Sequence, residues 1–437
     1  MNDKLKIVVY CDSITPRLNY TFNFIQENQD VEFELINDVS RFEKSDDLKL
    51  VYSDRYFEAD YLQIFPADIL FDEEIRDFSF SWKDNENDKV LIIDGKEDVL
   101  ASIFVTLTNY RDYLVDSAYK DKHNRVPIKY NILFQGRVHQ KLMVERWAKS
   151  FVEKITSFYG KEIVWRKHQL SILPTFDIDL AFAYLEKPNW RESLSKAKDL
   201  IKNDKERKKE RNEVKLNQKK DPYDTFDYIC ALNNRGFSPK VFWLLGDYSK
   251  YDKNIPYENQ KQATLISSVA ANTEIGIHPS YKSNEILGLL NKEVNRLERI
   301  LAEKVTKSRQ HFLKLEFPKT YKSLIQEGIK EDFSLGFAEE FGFRVGTIRP
   351  HYWYDLKNEK ITGLILHPFS YMDGTLLEYQ KLSIQEAKNT INTLFEEAQK
   401  FGGEFSFIWH NSTIGDYGKW KGWSVVLEHT LNLKKST

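Results

Sequence analysis

Short apolar runs separated by clusters of Asp, Asn, Ser and Gly recur through the first third of the chain, at residues 6–11, 31–36, 48–52, 62–65 and 90–93. Runs of that length bounded by turn formers predict strands. Residues 19–27 carry aromatic and aliphatic positions at helical spacing, and residues 99–110 and 140–155 read as longer amphipathic helices. A small α/β unit follows from this alternation. After residue 163 the texture changes to strand-like segments that end in polar clusters, at 170–176, 241–245, 273–277, 364–367 and 405–410, with helical stretches such as 263–271 and 286–301 between most of them. Repeated βα units of this kind predict a barrel or an open parallel sheet, in which chemistry collects at the C-terminal ends of strands. Asp177, Asp179, His278 and His410 all fall at such ends.

A chain of 437 residues exceeds what one hydrophobic core usually serves. Two domains are expected, 1–160 as an accessory α/β domain and 161–437 as the larger one. With 64 Lys plus Arg against 66 Asp plus Glu, charge gives no case for nucleic acid or an anionic membrane. The basic run 202–220 has mixed signs and no interleaved aromatics, which suits a solvated helix or mobile loop. Cys11 and Cys230 are too few for a disulfide framework, so a reducing, cytoplasmic setting is expected. The apolar run before Cys11 is broken by Asp12 and Ser13, and no stretch approaches the roughly 20 apolar residues of a membrane span. Neither a secretory leader nor membrane insertion is expected.

Thr175-Phe176-Asp177-Ile178-Asp179 directs two carboxylates to one side of a strand end. Like charges that close need a cation, a shared proton or hydrogen bonds, so the alternatives are a metal-plus-base site and a solvated Asp pair. His278, before Pro279, caps a short strand, where one ring nitrogen can ligate a metal while a hydrogen bond fixes the other; a structural histidine is the alternative. Arg309 and His311 open an alternating segment and point to one side of it, either as ligand and carboxylate anchor or as a wet strand face. His410 is a strand-end imidazole able to donate a proton near neutrality. Asp332, Arg349, Tyr352, Trp353, Asp373 and Trp409 add charged and aromatic groups that could line a sugar site or simply pack.

Taken in order, these segments resemble the polysaccharide deacetylase family, the NodB-like metal-dependent carbohydrate esterases (carbohydrate esterase family 4), and within it a bacterial branch with an extra N-terminal domain. The resemblance spans about residues 170–427. It implies a distorted (β/α) barrel preceded by a smaller α/β domain. Thr175-Phe176-Asp177-Ile178-Asp179 resembles the first motif, implying Asp177 as general base and Asp179 as metal ligand. Gly276-Ile277-His278-Pro279-Ser280 resembles the second and gives His278 a ligand role. The second histidine of that motif is replaced by Lys282, and His311, in the order of the Arg-containing third motif, is the residue expected to complete the set. Arg309 would orient Asp177, with Arg349 competing for that part, and Ile408-Trp409-His410 resembles the closing motif whose histidine is the general acid. Substrate contacts are expected from Arg349, Tyr352, Trp353, Asp332, Asp373 and Trp409. The implied function is hydrolytic N-deacetylation of an N-acetylated sugar in a polysaccharide or glycoconjugate, with a divalent metal, zinc for preference. An inactive saccharide-binding module and an assembly protein of glycan biosynthesis are the alternatives; a homo-oligomer or a biosynthetic partner is compatible with each.

Overall fold

Val8 and Tyr10 face one side of strand β1 (Leu5–Cys11) while Ile7, Val9 and Cys11 face the other, and all five are buried. A strand apolar on both faces needs cover on both, and that demand organises the first unit. β1 lies between β2 (Val31–Ile36) and β3 (Leu48–Tyr52), with β4 (Leu62–Ile64) outside β3; the pairings are parallel. The larger core combines Ile7 and Val9 with residues of helices Pro16–Gln26, Val99–Leu107 and Met143–Phe158. Val8, Tyr10, Ile36 and Phe42 form a smaller cluster. Local chemistry sets the helix starts: Thr15 Oγ1 accepts from the Leu18 N–H ahead of Pro16, and Asp98 Oδ1 accepts from Leu100 and Ala101. The antiparallel pair β5 (Phe80–Asn85) and β6 (Asp88–Ile93) completes the first part of this unit.

The structure, a computed structural model, describes residues 4–85, 88–201 and 204–436. It divides into two compact units, and the first is discontinuous: residues 1–170 are joined by 342–368 and 394–403. The expectation of a division at 160/161 made no provision for the two later segments. Burial explains the return of the chain, because Tyr354 and Leu356 belong to the core built by Ile7, Phe104 and Phe151. Arg17, fully buried, adds a two-pronged ion pair to Glu359, Nε to Oε2 at 2.9 Å and Nη2 to Oε1 at 2.7 Å.

The second unit comprises residues 171–341, 369–393 and 404–437. Its strands are β7 (Leu170–Ile178), β8 (Lys240–Trp243), β9 (Glu274–Ile277), β10 (Lys307–Ser308) and β11 (Glu331–Asp332). After the first unit's hairpin of β12 (His351–Asp355) and β13 (Lys360–Leu366) come β14 (Phe369–Met372) and β15 (Gly403–His410). Their order is β11-β10-β9-β8-β7-β15-β14. The registered pairs β7·β8, β8·β9, β9·β10, β10·β11 and β14·β15 are parallel. The unit is mixed α/β, with helices such as Gln260–Ala270 and Leu289–Leu301 between strands. The segment expected as a strand at 364–367 lies in the first unit's hairpin instead. Within the basic run, Lys205–Lys215 is a helix capped by Asp204, with Arg211 buried against Asp199; Lys202 and Asn203 lie outside the described residues. No helix among the described residues is long and apolar enough to cross a membrane.

Candidate metal centre and its flanking acid and base

Parallel register carries Asp177, Phe242 and Gly276 to one level across β7, β8 and β9. Gly276 is required there: a Cβ would lie 2.7 Å from the Phe242 ring and 2.8 Å from the Lys307 carbonyl oxygen. The Phe242 face in turn supports the Arg309 guanidinium, 4.7 Å from the ring centroid. Arg309 is fully buried and donates from Nε to the Phe333 carbonyl at 2.9 Å, and from Nη1 to Thr175 Oγ1 at 2.7 Å and Asp177 Oδ1 at 3.2 Å. One oxygen of the Asp177 carboxylate is thus anchored.

The other oxygen turns toward His278, whose Nε2 is 3.9 Å from Asp177 Oδ2 and 3.3 Å from Asp179 Oδ1. His311 Nε2 approaches the same Asp179 oxygen at 3.6 Å. Asp179, His278 and His311 bring one donor atom each to within 4.8 Å of one another. The tautomers follow from the far side of each ring. His278 Nδ1 sits 2.6 Å from the Arg309 carbonyl oxygen and His311 Nδ1 sits 3.0 Å from Asp252 Oδ1, so both Nδ1 atoms donate. In the neutral rings both Nε2 atoms then present lone pairs toward a carboxylate oxygen, and buried Asp179 Oδ1 has no hydrogen-bond partner among the described residues.

Three converging acceptors without a donor call for protons or a cation. Burial by itself would raise the Asp179 carboxyl, but His311, His278 and His410 hold it well below the usual carboxylate range. Burial opposes charge on His311, yet Asp179 and Asp252 outweigh it and lift the imidazole to about 9. The cluster is polarised for positive charge at its centre, and its one-oxygen, two-imidazole donor set fits a divalent transition metal.

His410, at the end of β15, stands on the opposite flank, with Nε2 3.9 Å from Asp179 Oδ2. Its Nδ1 bonds Asp373 Oδ1 at 2.9 Å, while Asp373 Oδ2 accepts from the His410 N–H at 2.8 Å and from Thr413 Oγ1 at 2.6 Å. Burial would lower this imidazole, but Asp373 first, then Asp179 and Asp177, lift it to about 10. An imidazolium at neutral pH, fixed by a carboxylate, is arranged to give a proton.

Asp177, Asp179, His278, Arg309, His311, Asp373 and His410 thus assemble in the second unit, with Asp373 as the partner of His410. Asp332 is fully buried and spends its carboxylate on Ser308 and Ser334, bonding Ser308 Oγ at 2.6 Å, and Trp409 is fully buried as well. Neither presents a surface to a ligand. Arg349, Tyr352 and Trp353 belong to the first unit. Arg349 is buried, with Nε on Glu145 Oε1 at 2.8 Å and its guanidinium 3.7 Å from the Phe24 centroid, so the guanidinium that holds Asp177 is that of Arg309. Trp353 is likewise buried, and Tyr352 is exposed.

The alternating strand expected from Arg309 onward is only Lys307–Ser308, followed by a tight turn, His311–Leu313, with Phe312 and Leu313 at positive φ. Lys282, standing where the second motif histidine was expected, is solvent-exposed. Asp252 is the member that sequence reasoning missed. It lies in the loop after β8, where Ser249 Oγ donates to its Oδ2 at 2.6 Å and the Tyr281 N–H to its Oδ1 at 2.9 Å. The only local trace is a Ser and an Asp three residues apart, a pattern common to many turns.

A family model described as a family of unknown function (DUF7033) matches residues 7–160. No curated protein matches the chain. Among solved structures, the chain is similar to a proposed polysaccharide deacetylase from Mycobacterium smegmatis, at 16% identity and a TM-score of 0.39 over 62% of this chain and 86% of that one. It is also similar to the polysaccharide deacetylase Bc1974 from Bacillus cereus, at 10% identity and a TM-score of 0.31 over 62% and 89% of the two chains. A third is a variant of BA3943, a CE4-family pseudoenzyme with restored activity, at 10% identity and a TM-score of 0.30 over 62% and 65%.

Proposed function

We propose that the protein is a metal-dependent hydrolase that removes the acetyl group from an N-acetylated sugar in a polysaccharide or glycoconjugate, on a distorted (β/α) barrel of the NodB-like type. The observation that carries the reading is the convergence of Asp179, His278 and His311 between an anchored carboxylate, Asp177, and a carboxylate-held imidazole, His410. Asp179, His278 and His311 would hold the cation, zinc by preference, which when bound polarises an amide carbonyl and lowers the pKa of water.

Each remaining step belongs to the chain's own groups. Asp177 accepts the proton of the attacking water on the oxygen that Arg309 leaves free, and Arg309 keeps that carboxylate aimed. Opposite it, His410 Nε2 gives a proton to the departing amine while Asp373 holds Nδ1. The same two residues support a catalytic over a structural metal site, since a structural zinc site closes its coordination with protein ligands and needs no flanking acid or base.

Metal analysis joined to acetate-release assays over a panel of N-acetylated glycans tests the proposal. Wild type is expected to retain about one divalent ion and release acetate; Asp177→Asn should keep the ion and lose roughly 10²–10⁴-fold in rate. Acetate release unchanged in that variant would remove Asp177 as the base. Sugar binding without metal or acetate release would favour the inactive saccharide-binding module.

A further inference from the structure

Helix Leu289–Leu301 of the second unit buries two charged side chains, Glu293 and Arg296. The deacetylase reading uses neither of them. Arg296 Nη1 donates to the Leu245 carbonyl at 2.8 Å and Nη2 to Asp247 Oδ1 at 2.7 Å, which pins the start of the loop that leaves β8 and carries Asp252. Glu293, fully buried, accepts on Oε2 from the Ser280 N–H at 2.8 Å, two residues beyond His278. Gly246 lets loop and turn close together there: a Cβ on it would lie 2.6 Å from Ser280 Cβ and 3.3 Å from Glu293 Oε1.

The turn from His278 to Tyr281 is tied to His311 twice. The Pro279 carbonyl accepts from the His311 N–H at 3.4 Å, and the Tyr281 N–H donates at 2.9 Å to Asp252 Oδ1, the same oxygen that takes His311 Nδ1 at 3.0 Å. Two consecutive amides, Ser280 and Tyr281, are therefore claimed by two carboxyl groups from different elements, one on a helix and one in a loop. Pro279, with its fixed φ, leaves little slack between His278 and Ser280. A shift of Ser280 would pull on His278 from one side and on the Asp252–His311 pair from the other.

Packing alone does not call for a carboxyl group at this place. Burial lifts Glu293 to about 7, with Asp252 adding to the rise, against the bonds from Ser280 and the charge of Arg296. Its Oε1 has no hydrogen-bond partner among the described residues. An apolar side chain of similar size would fill the space without that desolvation. It would also leave the buried Ser280 N–H without its acceptor. We propose that Glu293 is a positioning residue of the metal centre: through Ser280 it sets the turn that keeps His278 and the Asp252–His311 pair converging on Asp179. The proposal rests on the deacetylase reading for the metal that this arrangement serves.

Zinc affinity against a competing chelator, measured on the full chain for wild type, Glu293→Gln and Glu293→Leu, tests it. Glu293→Gln keeps an acceptor at the same reach and is expected within about twofold of wild type. Glu293→Leu keeps the volume without the acceptor and should weaken zinc about tenfold or more. In the metal-free protein the same variant should speed hydrogen exchange of the Ser280 and Tyr281 amides, read by mass spectrometry. With cobalt in place of zinc at full occupancy, the ligand-field bands should shift in Glu293→Leu and hold in Glu293→Gln, which a loss of stability alone would not produce. If Glu293→Leu does not fold, Glu293→Asp, which draws the carboxylate back by one methylene, carries the same expectations. Unchanged zinc affinity in the Leu or Asp variant, or a Gln variant as weak as either, overturns the proposal. Its failure and that of the deacetylase separate: zinc that depends on Glu293 in a protein whose wild type releases no acetate keeps the positioning role and defeats the hydrolase, and acetate release with zinc affinity indifferent to Glu293 does the reverse. A wild type that takes up no zinc overturns both.

Discussion

Two buried charge clusters, one in each unit, are built on opposite principles. Around Arg17 every group has its complement: Glu359 takes Nε and Nη2, the Ile69 and Glu74 carbonyls accept from Nη1 and Nη2, and Tyr354 donates to Glu359 Oε2 at 2.8 Å. Around Asp179 the neutral rings of His278 and His311 would set acceptors against an acceptor, a surplus that a proton or a cation must relieve. Buried charge that is fully mated specifies packing, whereas buried charge with surplus of one sign specifies a ligand.

Removing one partner of the mated pair should produce the largest effect. Arg17→Met leaves the partly buried Glu359 without its cation and should lower unfolding free energy by about 3 kcal/mol, the low end for a broken buried pair, read from denaturant titration, while metal retention in the second unit stays as in wild type. Loss of metal with no loss of stability would break the contrast. Next comes Asp252→Asn, which keeps the size of the group that fixes His311 Nδ1 but not its charge. Metal affinity, measured against a competing chelator, should fall about 10–100-fold with little change in folding.

The smallest effect sharpens the acid side. His410 stays protonated until pH rises past about 10, so the alkaline limb of kcat/KM belongs there. Asp373→Asn removes the leading cause of that elevation and should move the limb downward by about one pH unit or more, toward the ordinary imidazole value of ~6.5. A limb that stays in place would show that another group donates the proton.

Much of this site could be read from the chain because strand ends carry it. Asp177 and Asp179 announce themselves by period-two spacing after an apolar run, and His278 and His410 by their place after strands now seen as β9 and β15. What escaped depends on contacts distant in sequence. Asp252 meets His311 across 59 positions, and nothing near Asp252 signals that meeting. The aromatic cluster at 351–354 looked like a sugar wall for the cluster; His351, Trp353 and Tyr354 are buried, and Tyr352 alone of the four faces out, beside a register shift in the hairpin. The return of 342–368 and 394–403 to the first unit left no trace in the chain's local pattern, because a hairpin that returns to an earlier core has the same local pattern as one that stays.

That return has a consequence for synthesis. As the chain leaves the ribosome, Tyr20 and Phe104 emerge long before Tyr354, the ring they pack against at 5.1 and 5.3 Å, and Arg17 waits 342 positions for Glu359. The core of the first unit therefore lacks Tyr354 and Leu356 until residues 171–341 of the second unit have been translated, so a cut near residue 170 yields a fragment deprived of its own last core residues rather than an autonomous half.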